Sequence, residues 1–113
     1  MPQMEILKIH IGPGRTKKGW VGGDVSIADT IVDAIQAAKP KTHVWFAGGA
    51  AGRCIRGGIR QALDHNLIPH VDPDEITTED NRFDTVHDRV SAVRAGFASA
   101  ERRKIRFGKR PGR

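Results

Sequence analysis

The chain has 113 residues, a formal net charge of +6 and one cysteine. This length suits a single domain around one core. No run approaches the roughly 18 apolar residues of a membrane span, and one thiol excludes an internal disulfide. MPQMEILK is not a basic leader followed by an apolar stretch, so a soluble, cytoplasmic protein with no membrane partner is expected.

The first predicted element is a strand. In EILKIHI, Leu7, Ile9 and Ile11 alternate with Lys8 and His10, and Ile6 alone falls on the polar side. GPGRTKKGWVGGD follows, a glycine-rich loop of the length that often carries function, with Trp20 expected to pin it to the body. Ser26 and Asp29 then read as the start of a helix. Its apolar positions are Ile27, Ile31, Ala34 and Ile35, and Pro40 stops it. THVWFA is apolar on both faces, as a strand inside a sheet should be.

Behind Cys54 a second helix is marked by Ile55, Ile59, Ala62 and Leu63, with Arg53, Arg56 and Arg60 pointing elsewhere. Gly57 and Gly58 weaken that helix by roughly 1 kcal/mol each relative to alanine, a cost that close packing against the sheet would explain. LIPHV reads as a short third strand and VDPDEITTED as an acidic turn region. Phe83, Val86, Val90, Val93 and Phe97 mark a third helix, and KIRF an edge strand. Strands alternating with helices predict an α/β fold. The expectation is a small three-layer domain with a mainly parallel sheet of three to four strands and three helices, its core spanning residues 1–100.

The positive charge is not spread evenly. Arg102, Arg103, Lys104, Arg106, Lys109, Arg110 and Arg113 lie in the last thirteen residues beside one acid, Glu101, and the rest of the chain is charge-balanced. Residues 101–113 therefore read as a basic tail able to contact nucleic acid or an acidic protein, or simply to aid solubility.

The segment VWFAGGAAGRC joins a buried strand to a helix through glycines. Such a junction presents unpaired backbone N–H groups and the positive end of the helix. A phosphate-bearing or small-molecule ligand is expected there, at Gly49, Ala50 and Gly52, with Arg53, Arg56 and Lys17 neutralising it. A thiol in that field loses its proton more readily, so Cys54 is a candidate nucleophile. The competing possibility is a cysteine packed as a small hydrophobe.

At these residues the chain resembles the isochorismatase-like cysteine hydrolases, which include the nicotinamidases. Gly48, Ala50, Cys54, Ile55, Arg56, Ala62 and Leu63 fall at the positions of the family's nucleophile turn and the helix behind it. TVHDRVSAVRAGFASA, with His87, resembles the next helix, so the likeness covers about residues 42–100. The resemblance implies a catalytic cysteine at Cys54 and amides of small ring compounds as substrates. It also implies an aspartate ending the first strand and a lysine. His10 stands in the aspartate's place, and Lys8 is one of the candidate lysines, with Lys17 and Lys18. The family's metal-binding cluster is not recognisable, and no metal or cofactor is expected.

Two further patterns stand beside this one. His65, Asn81 and His87 resemble the His-Asn-His set of HNH nucleases, although His65 lies in a helical pattern. A non-catalytic nucleotide- or nucleic-acid-binding module would use the GGAAG turn and the basic tail. Whether the chain forms a homo-oligomer is left open by the sequence.

Overall fold

The computed structural model describes residues 6–12, 18–22, 28–78 and 84–112. It shows an α/β domain whose five strands are all parallel: β1 (Ile6–Ile11), β2 (Val21–Gly22), β3 (His43–Gly49), β4 (Ile68–Thr77) and β5 (Arg106–Phe107). Their spatial order is β2-β1-β3-β4-β5. Four α-helices are described: α1 (Ala28–Ala37), α2 (Arg56–Asp64), α3 (Val86–Arg94) and the single turn α4 (Ser99–Arg102). A π-helical turn, Ala51–Ile55, runs directly into α2. Among the described residues, no helix is long and apolar enough to cross a membrane.

The alternation in the sequence decides which face is buried. Ile9 and Ile11 of β1, Val44 and Phe46 of β3 and Val71 of β4 join Ile31, Ile35, Ile55, Ile59 and Val93 in one core. From β1 to β3, β4 and β5 the chain always moves in the same direction across the sheet. Right-handed crossovers that advance one way return their helices to one face. The opposite face carries Lys8, His10, Trp45 and His70 on alternate positions. Trp20 and Arg110 lie across that face, so chain segments rather than helices complete the layering there. β3, flanked on both sides, is buried through Val44, Trp45, Phe46 and Ala47, as its apolar run predicts.

Two elements differ from the local patterns, the third helix and the VDPDE segment. Ser26 and Ile27, the expected start of the first helix, lie outside the described residues, as does Phe83. The third helix begins at Val86, after Thr85, whose hydroxyl accepts from the Asp88 N–H while the Asp88 carboxylate accepts from the Thr85 N–H. This is a capping box, and it sets the start that the apolar spacing had put earlier. Phe97 lies past the end of α3 yet is buried, whereas Val86 is half exposed.

The largest difference is in VDPDE. This segment does not end the third strand: pairing with β3 resumes at Gly48–Ile76 and Gly49–Thr77. Between Val71 and Ile76, β4 has four residues where β3 has one between Phe46 and Gly48, so Asp72–Glu75 bow out as a wide bulge. Asp72, 1% exposed, holds the bulge by accepting from its own Asp74 N–H and from the Arg110 N–H. Pro73, which cannot donate to a ladder, falls where no ladder bond is required.

Beyond residue 100 the chain continues to build the fold. Ile105 is buried in the core, and β5 pairs with β4 through His70–Arg106 and Val71–Phe107. The segment predicted as a basic tail therefore supplies a strand and a core side chain.

Candidate functional site

The site forms where β1, β3 and β4 reach their carboxyl ends, the edge at which open α/β sheets bind ligands. β3 closes on two glycines for steric reasons. Gly48 has φ +99°, and a Cβ there would collide with the Ile11 carbonyl of β1. A Cβ on Gly49 would meet Thr77 Oγ1 at 2.5 Å. The Gly49–Ala50 peptide is cis. The Ala50 carbonyl then accepts from the Arg53 and Ile55 N–H groups at 3.1 and 3.2 Å, which turns the chain into α2. Ala51 and Ile55 are fully buried and anchor this turn, and Cys54 between them is exposed. Of the two possibilities for the thiol, packing as a small hydrophobe is thereby excluded.

A crevice of about 370 Å³ lies beside the turn, lined by His10, Ile11, Gly12, Gly48, Gly49, Ala50 and Thr77. His10 Nδ1 is buried and has no hydrogen-bond partner. The same histidine borders a smaller cavity of about 210 Å³ with Trp20, Ala47, Asp74 and Glu75. An unpaired imidazole nitrogen in a buried position costs free energy unless a ligand or water meets it. The crevice thus brings His10 beside the backbone of the Gly49–Ala50 turn that carries Cys54.

The other expected site residues are distributed as follows. Gly49 and Ala50 line the crevice; Cys54 is exposed on the turn but is not among its lining residues. Gly52 faces Ala92 of α3 and the Arg56 guanidinium. Arg56 is half-buried, its Nε donates to the Ala92 carbonyl at 2.7 Å, and its stem occupies the space a side chain on Gly96 would need. It clamps α3 to α2. Arg60 pairs with Glu101 and, at 3.6 Å, with Asp64, above the Phe97 ring. Arg53 is exposed. Lys8 lies two residues before His10, about 6.6 Å along the strand, with its ammonium 5.6 Å from the Trp20 ring centroid. Lys8 is therefore held on the open face of the sheet, away from the crevice. Lys17 lies outside the described residues.

The basic residues after position 100 separate into two groups. Arg102 Nε donates to the Arg94 and Phe97 carbonyls, and Arg110 pairs with Glu75, so both are structural. Arg103, Lys104, Arg106 and Lys109 are exposed. Of the HNH-like pattern, His65 caps the end of α2 and His87 sits in the first turn of α3; Asn81 lies outside the described residues. Among the described residues, no group of His, Cys, Asp and Glu could hold a metal ion.

A second polar cluster escaped the sequence. His43 Nδ1 and His70 Nε2 are 2.7 Å apart and share a hydrogen bond, and His70 stacks on Trp45 at 4.5 Å. Burial, then the neighbouring His43 and Arg106 charges, push the His70 pKa down to about 4. The positions 43, 45 and 70 carry no common motif; only the β3–β4 register brings them together. Compared with family models, with curated proteins and with solved structures, the chain matches none.

Proposed function

We propose that the protein is a thiol-dependent hydrolase of the isochorismatase-like kind, with Cys54 as nucleophile and His10 as its base, acting on a small amide. The observation that carries this is an exposed thiol on the turn that closes β3, whose Gly49 and Ala50 line a crevice together with His10, a residue with a buried, unpartnered Nδ1. The thiolate adds to the amide carbonyl, and the positive end of the helical turn, whose Arg53 and Ile55 N–H groups are already taken by the Ala50 carbonyl, favours the developing oxyanion. The C–N bond then breaks, and the amine leaves with the proton held by the imidazole. Water attacks the resulting thioester, releasing the acid and restoring the thiol. Histidine in place of the family's aspartate suits this scheme, since an imidazole nitrogen can take the thiol proton and pass it to the leaving amine.

A phosphate held at the same turn is the less favoured alternative. Of its expected cations, Arg56 donates to the Ala92 carbonyl, and the neighbouring Arg60 is paired with Glu101.

The test uses the full chain. Cys54 alkylation by iodoacetamide at neutral pH is timed for the wild type and His10→Ala, and acid release from nicotinamide is followed alongside. The expected result is reaction faster than free cysteine, slowing in His10→Ala, with hydrolysis abolished in Cys54→Ser. Alkylation no faster than free cysteine and indifferent to His10, with no acid released from the amide, would overturn the proposal.

A further inference from the structure

We infer that a groove at the amino edge of the sheet binds the phosphodiester backbone of nucleic acid. Its volume is about 370 Å³, and Lys41, Arg103, Lys104 and Arg106 line it above Leu63 and Leu67. It lies at the opposite end of the strands from the Cys54 turn, beside the first residues of β3 and β4. The inference is independent of the hydrolase proposal.

The four cations come from distant parts of the chain, and the fold holds their backbones in place. Lys41 has φ +67°, and its N–H donates to the Asn66 carbonyl at 2.7 Å. Arg103, Lys104 and Arg106 flank Ile105, which is 5% exposed in the core. The Lys104 and Ile105 N–H groups donate to the Glu101 and Arg102 carbonyls, and Arg106 belongs to β5. Ordering these groups on binding therefore costs mainly side-chain entropy.

Charge is not neutralised within the groove. Among the described residues, none of the four forms an ion pair within 4 Å, whereas Arg60, Arg89 and Arg110 each do. The nearby Glu101 carboxylate is taken up by Arg60. The end of α2 adds the partial negative charge of a helix C-terminus, about half an elementary charge, while the carboxylate of its last residue, Asp64, pairs with Arg60 at 3.6 Å. Four full cations outweigh it.

Charge density selects the occupant. Exposed cations gain little from isolated carboxylates in water, about 0–1 kcal/mol per pair. A duplex carries one charge per about 1.7 Å and a condensed counterion layer, whose release supplies affinity that an acidic peptide lacks. The groove has no aromatic lining residue for base stacking, so contact is to the backbone and independent of sequence.

The experiment is fluorescence anisotropy of a short mixed-sequence duplex DNA with the full chain across a salt series. The expected slope of log K against log salt is about −3 to −4 for three to four neutralised phosphates. Lys41→Asn, suited to a positive φ, and Arg103→Gln should each weaken binding several-fold and reduce the slope by about one. Lys109→Gln, outside the groove, should leave it unchanged. Independently of any variant, bound duplex should protect Lys41 and Lys104 from a lysine-acylating reagent. Failure to bind at low salt, equal acylation with and without duplex, or stronger binding to polyglutamate than to DNA overturns the inference, the last in favour of an acidic protein partner.

Discussion

Arg110 and Glu75 meet in a bidentate ion pair, Nε to Oε1 at 2.8 Å and Nη2 to Oε2 at 3.1 Å, with both side chains less than a fifth exposed. The same arginine donates its backbone N–H to buried Asp72 and stacks 4.9 Å from the Trp20 ring centroid. One residue near the C-terminus thus ties together the β4 bulge and the loop after β1. Arg110→Ala is expected to lower unfolding stability by about 2–3 kcal/mol, because it strands a partly buried carboxylate as well as removing two charged hydrogen bonds. Arg110→Lys should recover only part, since an ammonium cannot reproduce the planar fork. Urea titrations of the three proteins measure both effects. Deleting residues 101–113 should destabilise the whole domain, through Ile105 and β5, and not merely remove charge.

The His43–His70 pair makes stability depend on pH. The folded-state pKa of His70 lies at about 4, below the usual 6.5, with burial as the main cause. Between these values the unfolded chain binds more protons than the folded one, so stability is full above about pH 6.5 and is lost as pH falls towards 4. A shift of this size sets an upper limit of about 3 kcal/mol, and solvent contact at this half-buried ring reduces the expected loss to about 1–2 kcal/mol. Urea midpoints measured from pH 7 to 4 should fall accordingly, and His70→Gln should flatten the profile. A wild-type profile as flat as the variant's counts against the pair.

Adjacent glycines in α2 should respond oppositely to alanine. A Cβ on Gly58 would sit 2.6 Å from Phe46 Cε1, whereas one on Gly57 meets nothing within 4 Å. Gly57→Ala should therefore stabilise by about 0.5–1 kcal/mol through helix propensity. Gly58→Ala should cost about 1–3 kcal/mol through overpacking. Thermal or urea melts that gave both the same sign would contradict the α2–β3 packing.

A similar contrast separates Cys54 from its neighbour. Cys54 is exposed and Ile55 is completely buried. Cys54→Ala should change stability by no more than about 0.5 kcal/mol, while Ile55→Ala should cost about 2–5 kcal/mol. Any loss of thiol chemistry in the cysteine variant then reports on the site and not on the fold, as parallel melts and alkylation assays would establish.

What the sequence determined by itself was set by neighbours along the chain. The alternation of Ile9 and Ile11 with Lys8 and His10, the helical spacing of Ile55, Ile59 and Ala62, and the unbroken apolar run of β3 each specify one element and its buried face. Together they imply a parallel α/β sheet. Tertiary structure decided what depends on partners far apart in sequence. VDPDE reads locally as a turn, but Gly48 and Gly49 of β3 continue to pair beyond it, and Arg110 pairs with its Glu75 from 35 residues away. Arg56 and Arg60 look like a free basic face until α3 and Glu101 take them up. Lys41 becomes a neighbour of Arg103 and Arg106, and His43 of His70, only through the strand register and the burial of Ile105. Local periodicity reports which face of an element is apolar; it carries no information on which distant charge will lie beside it, because that is set by how the whole core packs.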